Sequence, residues 1–161
     1  MPEIAVQQAG ADIAITATKG FGSGVVGTTP DLIFTILNTG TSDLTLTGTP
    51  KVAVTGSSDF TVTAQPASPV TGPSGSSNFT VRFTPTGSGL KMAALSIPNN
   101  DGDENPFVIN LTGTALSFST DSDHDGLNDA SEFNMAALGF NWQVSQPSLV
   151  STYQNNANGA G

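Results

Sequence analysis

In the stretch SNFTVRFTP, Phe79, Val81 and Phe83 alternate with Thr80, Arg82 and Thr84. A period of two sets the apolar side chains on one face of an extended chain and the polar ones on the other, the pattern of a half-buried β-strand. DFTVTAQ repeats it with Phe60 and Val62. LIFTILN, residues 32–38, is apolar on both faces and reads as a central strand. DLTLTG and KVAVTG offer Leu44, Leu46, Val52 and Val54, and KMAALSIPNN and NPFVINLTG add Leu95, Ile97, Phe107, Ile109 and Leu111. Clusters of Gly, Pro, Ser, Asn and Asp separate these runs from residue 3 to about 115, with no helical pattern between them. About seven to nine strands, roughly 8 to 15 residues apart, favour an antiparallel β-sandwich over a parallel α/β sheet. PASPVTGPSGSS, residues 66–77, reads as a long surface loop, since Pro66, Pro69 and Pro73 cannot donate to a ladder.

After TALSFST the period changes. In ASEFNMAALGF, Phe133, Ala136, Ala137 and Phe140 recur at three-to-four spacing and predict a helix stopped at Gly139. SQPSLVSTYQNNANG predicts a second helix capped by Ser145, with Pro147 in its first turn and Leu149, Val150 and Tyr153 on one face. The two form a small hairpin over Phe140, Trp142 and Val144. The organisation expected is a mainly β chain, with a sandwich over 1–116 and a loop plus helical segment over 117–161.

Between these parts lies DSDHDGLNDASE, residues 121–132, with five carboxylates in one short loop. Like charges so close repel unless a cation is held between them. Calcium takes six to eight oxygens, and a 12-residue loop supplies them from positions 1, 3, 5, 7, 9 and 12, with glycine at 6 allowing the sharp turn. Asp121, Asp123 and Asp125 fill the first three slots, Leu127 offers its carbonyl, Asp129 acts directly or through water, and Glu132 can clamp with both oxygens. Gly126 is the turn. His124, the sole histidine, is expected to face solvent, and magnesium, which keeps its waters, fits less well. Such extracellular loops bind at about 10⁻⁴ to 10⁻³ M, so calcium is expected to be structural and to order the last stretch of chain on binding. Asp101, Asp103 and Glu104, in NNDGDE, read either as an acidic hairpin turn or as a second weak cation site.

The formal net charge is −9, with four basic residues, Lys19, Lys51, Arg82 and Lys91. No electropositive surface is available for phosphate backbones or anionic lipid, so neither nucleic-acid binding nor membrane insertion is expected. Cysteine is absent, which excludes disulfides and thiolate chemistry. A composition rich in Thr, Ser, Gly and Asn suits an exported β protein, and the start MPEIAVQQ, without a signal peptide, fits a processed or excised fragment.

FGSGVVG, IFTILNTGTSDLTL, FTVRFTPTGSG and LSIPNNDGDENPFVINLTGTA together resemble the immunoglobulin-like domain of bacterial choice-of-anchor D proteins, related to the ASH or hydin-type domain. That resemblance covers about residues 1–116 and implies a sandwich in a surface-exposed, modular protein, with GFGSG, residues 20–24, as a turn. DSDHDGLNDASE is similar to a thrombospondin type 3 repeat and to an EF-hand loop, which implies calcium at Asp121, Asp123, Asp125, Asp129 and Glu132. It stands here as one copy and lacks the entering helix of an EF-hand.

No GxSxG, HExxH or P-loop is present, and a single histidine inside a metal loop is poorly placed for a triad, so no enzymatic activity is expected. The function expected is a noncatalytic, calcium-binding module of a secreted or cell-surface protein, a spacer or adhesive unit meeting other surface proteins or copies of itself. Two alternatives are a subunit of an extracellular fibre and a glycan-binding accessory domain of a secreted enzyme. Trp142 and Tyr153 read more simply as core of the helical hairpin than as sugar platforms.

Overall fold

The computed structural model describes residues 1–159; residues 160 and 161 of the expected C-terminal segment lie outside them. Nine strands occur among the described residues: β1 (Ile4–Gln8), β2 (Ala11–Ile13), β3 (Thr18–Val25), β4 (Asp31–Asn38), β5 (Ala53–Gly56), β6 (Phe60–Ala64), β7 (Ser76–Phe83), β8 (Gly89–Ile97) and β9 (Phe107–Leu116). One sheet has the order β2-β1-β4-β7-β6 and the other β3-β9-β8-β5. They face each other as an immunoglobulin-like sandwich.

Period-two patterning becomes core directly. Phe79, Val81 and Phe83 of β7 are wholly buried, as are Phe34 and Ile36 of β4 and Leu95, Ile97, Ile109 and Leu111 of β8 and β9. Burying each such side chain stabilises the fold by roughly 1.5–3 kcal/mol. Phe34 and Phe79, directly opposite in the β4–β7 register, stack at 5.0 Å with their planes 8° apart. Phe60 stacks on Phe83 at 4.8 Å, and Phe21 meets Phe60 edge-on at 5.4 Å. On the outer face of the same pair, Asp31 and Arg82 are cross-strand partners joined by two hydrogen bonds of 2.7 and 2.8 Å.

Several expectations are corrected. Pairing is not antiparallel throughout, because β3 runs parallel to β9. GFGSG is not a turn but the middle of β3, where the register shifts between Gly20 and Ser23 and Gly22 has φ of 73°. This bulge carries Phe21 onto Phe60 and Phe83, and glycine admits it without steric cost. DLTLTG forms only isolated bridges, Leu44 to Val70 and Leu46 to Asn99, although both leucines are buried as expected. Its partner Val70 draws the 66–77 segment inward: Pro66 and Val70 are buried, and Ser76 and Ser77 already belong to β7.

β9 alternates buried and half-buried positions along its length until Ala115 and Leu116, which are both buried. The exception has a cause. Leu116 and its register partner Val25 lie beneath Ala130 and Trp142, forming a second small apolar cluster where the C-terminal segment covers the end of the β3–β9 pair.

That segment contains α1 (Asp129–Asn134), a 3₁₀ turn at Ala136–Leu138 and α2 (Pro147–Gly159). The first expected helix is thus shorter than the spacing predicts. Met135, at φ −102° and ψ 15°, breaks it, and Gly139 stops the 3₁₀ turn in the left-handed region at φ 94°. Of the expected face only Phe140 is buried; Phe133, Ala136 and Ala137 are exposed, and α1 instead buries Asp129, Ala130 and Glu132. In the second helix Gln146, not Ser145, stands before Pro147 and its carbonyl accepts from Val150 N–H at 3.1 Å. Val150 is buried, Tyr153 meets Phe140 edge-on at 5.7 Å, and Val144 is largely exposed. No helix among the described residues is long and apolar enough to cross a membrane.

Candidate metal centre

The loop from Asp121 to Asn128 has no regular structure and is shaped by its own acids. Asp121 accepts from the N–H groups of His124 at 2.7 Å and Gly126 at 3.0 Å. Asp123 Oδ1 accepts from Asp125 N–H at 3.3 Å, and Asp125 Oδ1 from Leu127 N–H at 3.1 Å. Each short acid therefore bends the chain around itself. His124 at φ 62° and Gly126 at φ 99° complete the turn, and a Cβ at residue 126 would meet no neighbour within 4 Å, so glycine is favoured there by its backbone freedom alone. His124 is exposed, as its alternation with the acids predicts.

These turns bring one oxygen each of Asp121, Asp123 and Asp125 within 4.8 Å of one another. Glu132 reaches the loop from α1, whose N-cap Asn128 accepts from Ser131 N–H at 2.9 Å. It is wholly buried, and neither carboxylate oxygen has a hydrogen-bond partner; Asp123 Oδ2 is likewise buried and unpartnered. Burial first, and then the charges of Asp123, Asp125, Asp121 and Asp129, raise Glu132 to a pKa of about 7. Asp123 is raised by burial and by Asp125 and Asp121. Asp121 is lowered, because the N–H groups of Gly126, His124 and Asp125 outweigh the opposing effect of its burial.

A buried carboxylate without donors costs several kcal/mol unless it is protonated or faces a cation. The donor set is all oxygen, the carboxylates of Asp121, Asp123 and Asp125 converge, and three orphaned oxygens belong to Asp123 and Glu132. Hard-cation chemistry fits such a set, and calcium, which tolerates irregular multi-oxygen geometry, fits it best. Asp121, Asp123, Asp125 and Glu132 would hold the ion, with the main-chain carbonyl of Leu127 at the seventh position of the loop.

Asp129 stands apart. Its two oxygens accept from Ser122 N–H at 2.7 Å and Ser122 Oγ at 2.8 Å, and its own N–H donates to the Thr120 carbonyl at 2.9 Å. The ninth position thus clamps the loop to the start of α1.

A second acidic group forms at the other end of the sandwich, where Glu3, Asp101, Asp103 and Glu104 bring oxygens within 4.8 Å. It is not a simple hairpin turn. Buried Asn99 accepts from Asp101 N–H at 2.7 Å and donates to the carbonyls of Ile97 and Glu104, while Asp101 Oδ2 accepts from Ile4 N–H at 2.8 Å. Asp101 therefore ties the loop to β1. Glu3 was illegible as a member of this group, since only the fold brings it there.

The sandwich core with its β3–β9 bulge coincides with a known domain model: that of the HYDIN/CFA65/VesB-like Ig-like domain matches residues 14–114, more than half of the chain. The chain belongs to this family. No curated protein matches the sequence. Among solved structures, this Ig-like domain is similar to a protein of unknown function from Porphyromonas gingivalis W83, with a TM-score of 0.50, 15% identity, and coverage of 71% of this chain and 66% of that one. The secreted serine protease VesC from Vibrio cholerae matches at a TM-score of 0.48 and 16% identity over 63% of this chain and 22% of its own. The ASH/PapD-like domain 7 of human CEP192 matches at 0.43 and 16% over 71% and 85%. At these identities the likeness concerns the fold. The chain spans less than two thirds of the first two of these proteins, and the Ig-like match ends before the acidic loop.

Proposed function

We propose that the chain is a noncatalytic, calcium-binding module of a secreted or cell-surface protein, in which the Ig-like sandwich serves as spacer or adhesive unit and the 121–132 loop stiffens its junction with the C-terminal helices. The observation that carries this reading is Glu132, wholly buried with both oxygens unpartnered beside the converging Asp121, Asp123 and Asp125. An ion there replaces mutual repulsion with coordination and fixes α1 against the end of β9. The family supports a noncatalytic role, and the sole histidine is exposed on the outside of the loop. The resemblance to choice-of-anchor D domains agrees with an extracellular setting. Trp142 packs on Val25, Leu116 and Ala130, and Tyr153 on Phe140, which favours this reading over a sugar-stacking one.

Titration calorimetry after chelator stripping tests it. The expected result is a single calcium site in the range of about 10⁻⁴ to 10⁻³ M, lost in Glu132→Ala and accompanied by a thermal shift. Absence of heat and of any shift in a folded chain refutes the site.

A further inference from the structure

Asp125 is committed twice. Its Oδ1 accepts within the loop from Leu127, and its Oδ2 accepts from the main-chain N–H of Gln146 at 2.8 Å, 21 residues downstream. Gln146 is the residue on which α2 begins: its carbonyl accepts from Leu149 and Val150 N–H at 2.9 and 3.1 Å. Its side chain spans back to the preceding turn, Oε1 accepting from Asn141 N–H at 2.8 Å and Nε2 donating to the Gly139 carbonyl at 3.0 Å. One residue thus joins the acidic loop, the 139–141 turn and the first turn of α2.

The helix has little else to hold it. PSLVSTYQNNANG is rich in Ser, Thr and Asn, has no acid in its first turn and no base in its last, and buries only Val150. A helix of 13 residues with such a composition is marginal alone in water. Docking must supply its stability, and the polar part of that docking goes to a carboxylate of the candidate ion site.

We propose that calcium binding and the docking of α2 form one coupled equilibrium, transmitted by the Asp125–Gln146 hydrogen bond. An ion held by the loop acids would fix the Asp125 carboxylate, and with it the Oδ2 that accepts from Gln146 N–H. Without it, repulsion among Asp121, Asp123, Asp125 and Glu132 leaves that acceptor unfixed and the start of α2 unanchored. The proposal rests on the calcium reading above and adds to it a linkage that a merely structural loop need not have. By thermodynamic reciprocity, whatever factor calcium gives to helix docking, docking gives back to calcium affinity.

The full chain is tested by hydrogen exchange at amides 151–158 and by calcium calorimetry on the same samples. Saturating calcium is expected to slow exchange there by about tenfold, within the usual range of such couplings. Gln146→Ala keeps the main-chain N–H and loses only the side-chain bonds to residues 139 and 141, and serves as the control; Gln146→Pro removes the donor as well, leaving the helix ladder intact because the 146 N–H lies before the first turn and residue 147 is already proline. It is expected to abolish the calcium effect on α2 and to weaken calcium binding by the same factor. Val150→Ala undocks α2 from its apolar side, far in sequence from the acids, and by reciprocity must also weaken calcium binding. Calcium heat in the unsubstituted chain with unchanged α2 exchange overturns the coupling and leaves the site standing; so does Val150→Ala or Gln146→Pro with undiminished affinity. No calcium heat at all overturns both.

Discussion

Ser122 gives both its main-chain N–H and its hydroxyl to the carboxylate of Asp129, at 2.7 and 2.8 Å. The second and ninth residues of the loop are thereby pinned together, and Asp129, at the start of α1 and almost wholly buried, spends its charge on the clamp. An acid at that place both favours the helix through its dipole and holds the loop closed.

Ser122→Ala removes the hydroxyl arm and leaves the main-chain one. A hydrogen bond of about 1 kcal/mol corresponds to an approximately fivefold loss of calcium affinity. Asp129→Ala, which orphans both donors, costs more. Calorimetry on the two variants, with far-ultraviolet circular dichroism as a check on the sandwich, decides the ranking; equal affinities would remove the clamp from the argument.

Glu132 makes stability without metal depend on pH. Its folded pKa is raised from 4.5 to about 7, so between those values the folded state retains a proton that the unfolded chain has released. In chelator, stability from this group is fully present below about pH 4.5 and is lost as pH rises through about 7. Asp123 and Glu104, both raised, add to the same slope, whereas lowered Asp121 acts oppositely and only at more acid pH. Thermal melts from pH 4 to 8 are expected to fall across this window, less steeply in Glu132→Gln, and saturating calcium is expected to reverse the fall at neutral pH.

Phe79→Ala opens the centre of the sandwich. The ring is wholly buried and stacked on Phe34, and such truncations cost about 3–5 kcal/mol. Urea unfolding is expected to show a loss of that size with an unchanged m-value.

Gly113→Ala tests close approach between the sheets. A Cβ at this position of β9 would stand 2.8 Å from Cε1 and Cζ of Phe83, whose ring is itself stacked on Phe60. Overpacking of this kind costs about 1–3 kcal/mol, and unfolding by urea measures it. A neutral result would mean that the Phe60–Phe83 stack can slide.

The core was legible because strand period and burial share one cause: Phe79, Val81 and Phe83 face inward wherever the strand lies. Pairing partners were not, since the parallel alignment of β3 with β9 depends on residues distant in sequence and on a glycine bulge that looks locally like a turn. Val70 shows the same limit, reading as loop among prolines and becoming core through one bridge to Leu44. In the acidic loop, the alternate spacing of Asp121, Asp123 and Asp125 made their grouping legible, and the structure brings one oxygen of each within 4.8 Å of the others. Spacing could not show that Ser122 would occupy Asp129, or that Gln146 would reach Asp125, because serine hydroxyls and main-chain N–H groups carry no pattern. The helical face was misread because the three-to-four spacing of Phe133, Ala136 and Ala137 pointed to an inward side, whereas α1 ends at Asn134 and buries Asp129, Ala130 and Glu132.

The parallel β3–β9 pair has a mechanical corollary. Thr18 opens β3 and Leu116 closes β9, so tension applied between those two residues drags the strands past each other lengthwise. Parallel ladders carry evenly spaced, slanted bonds, and a shearing load is shared among them rather than ripping one after another as in a zipper.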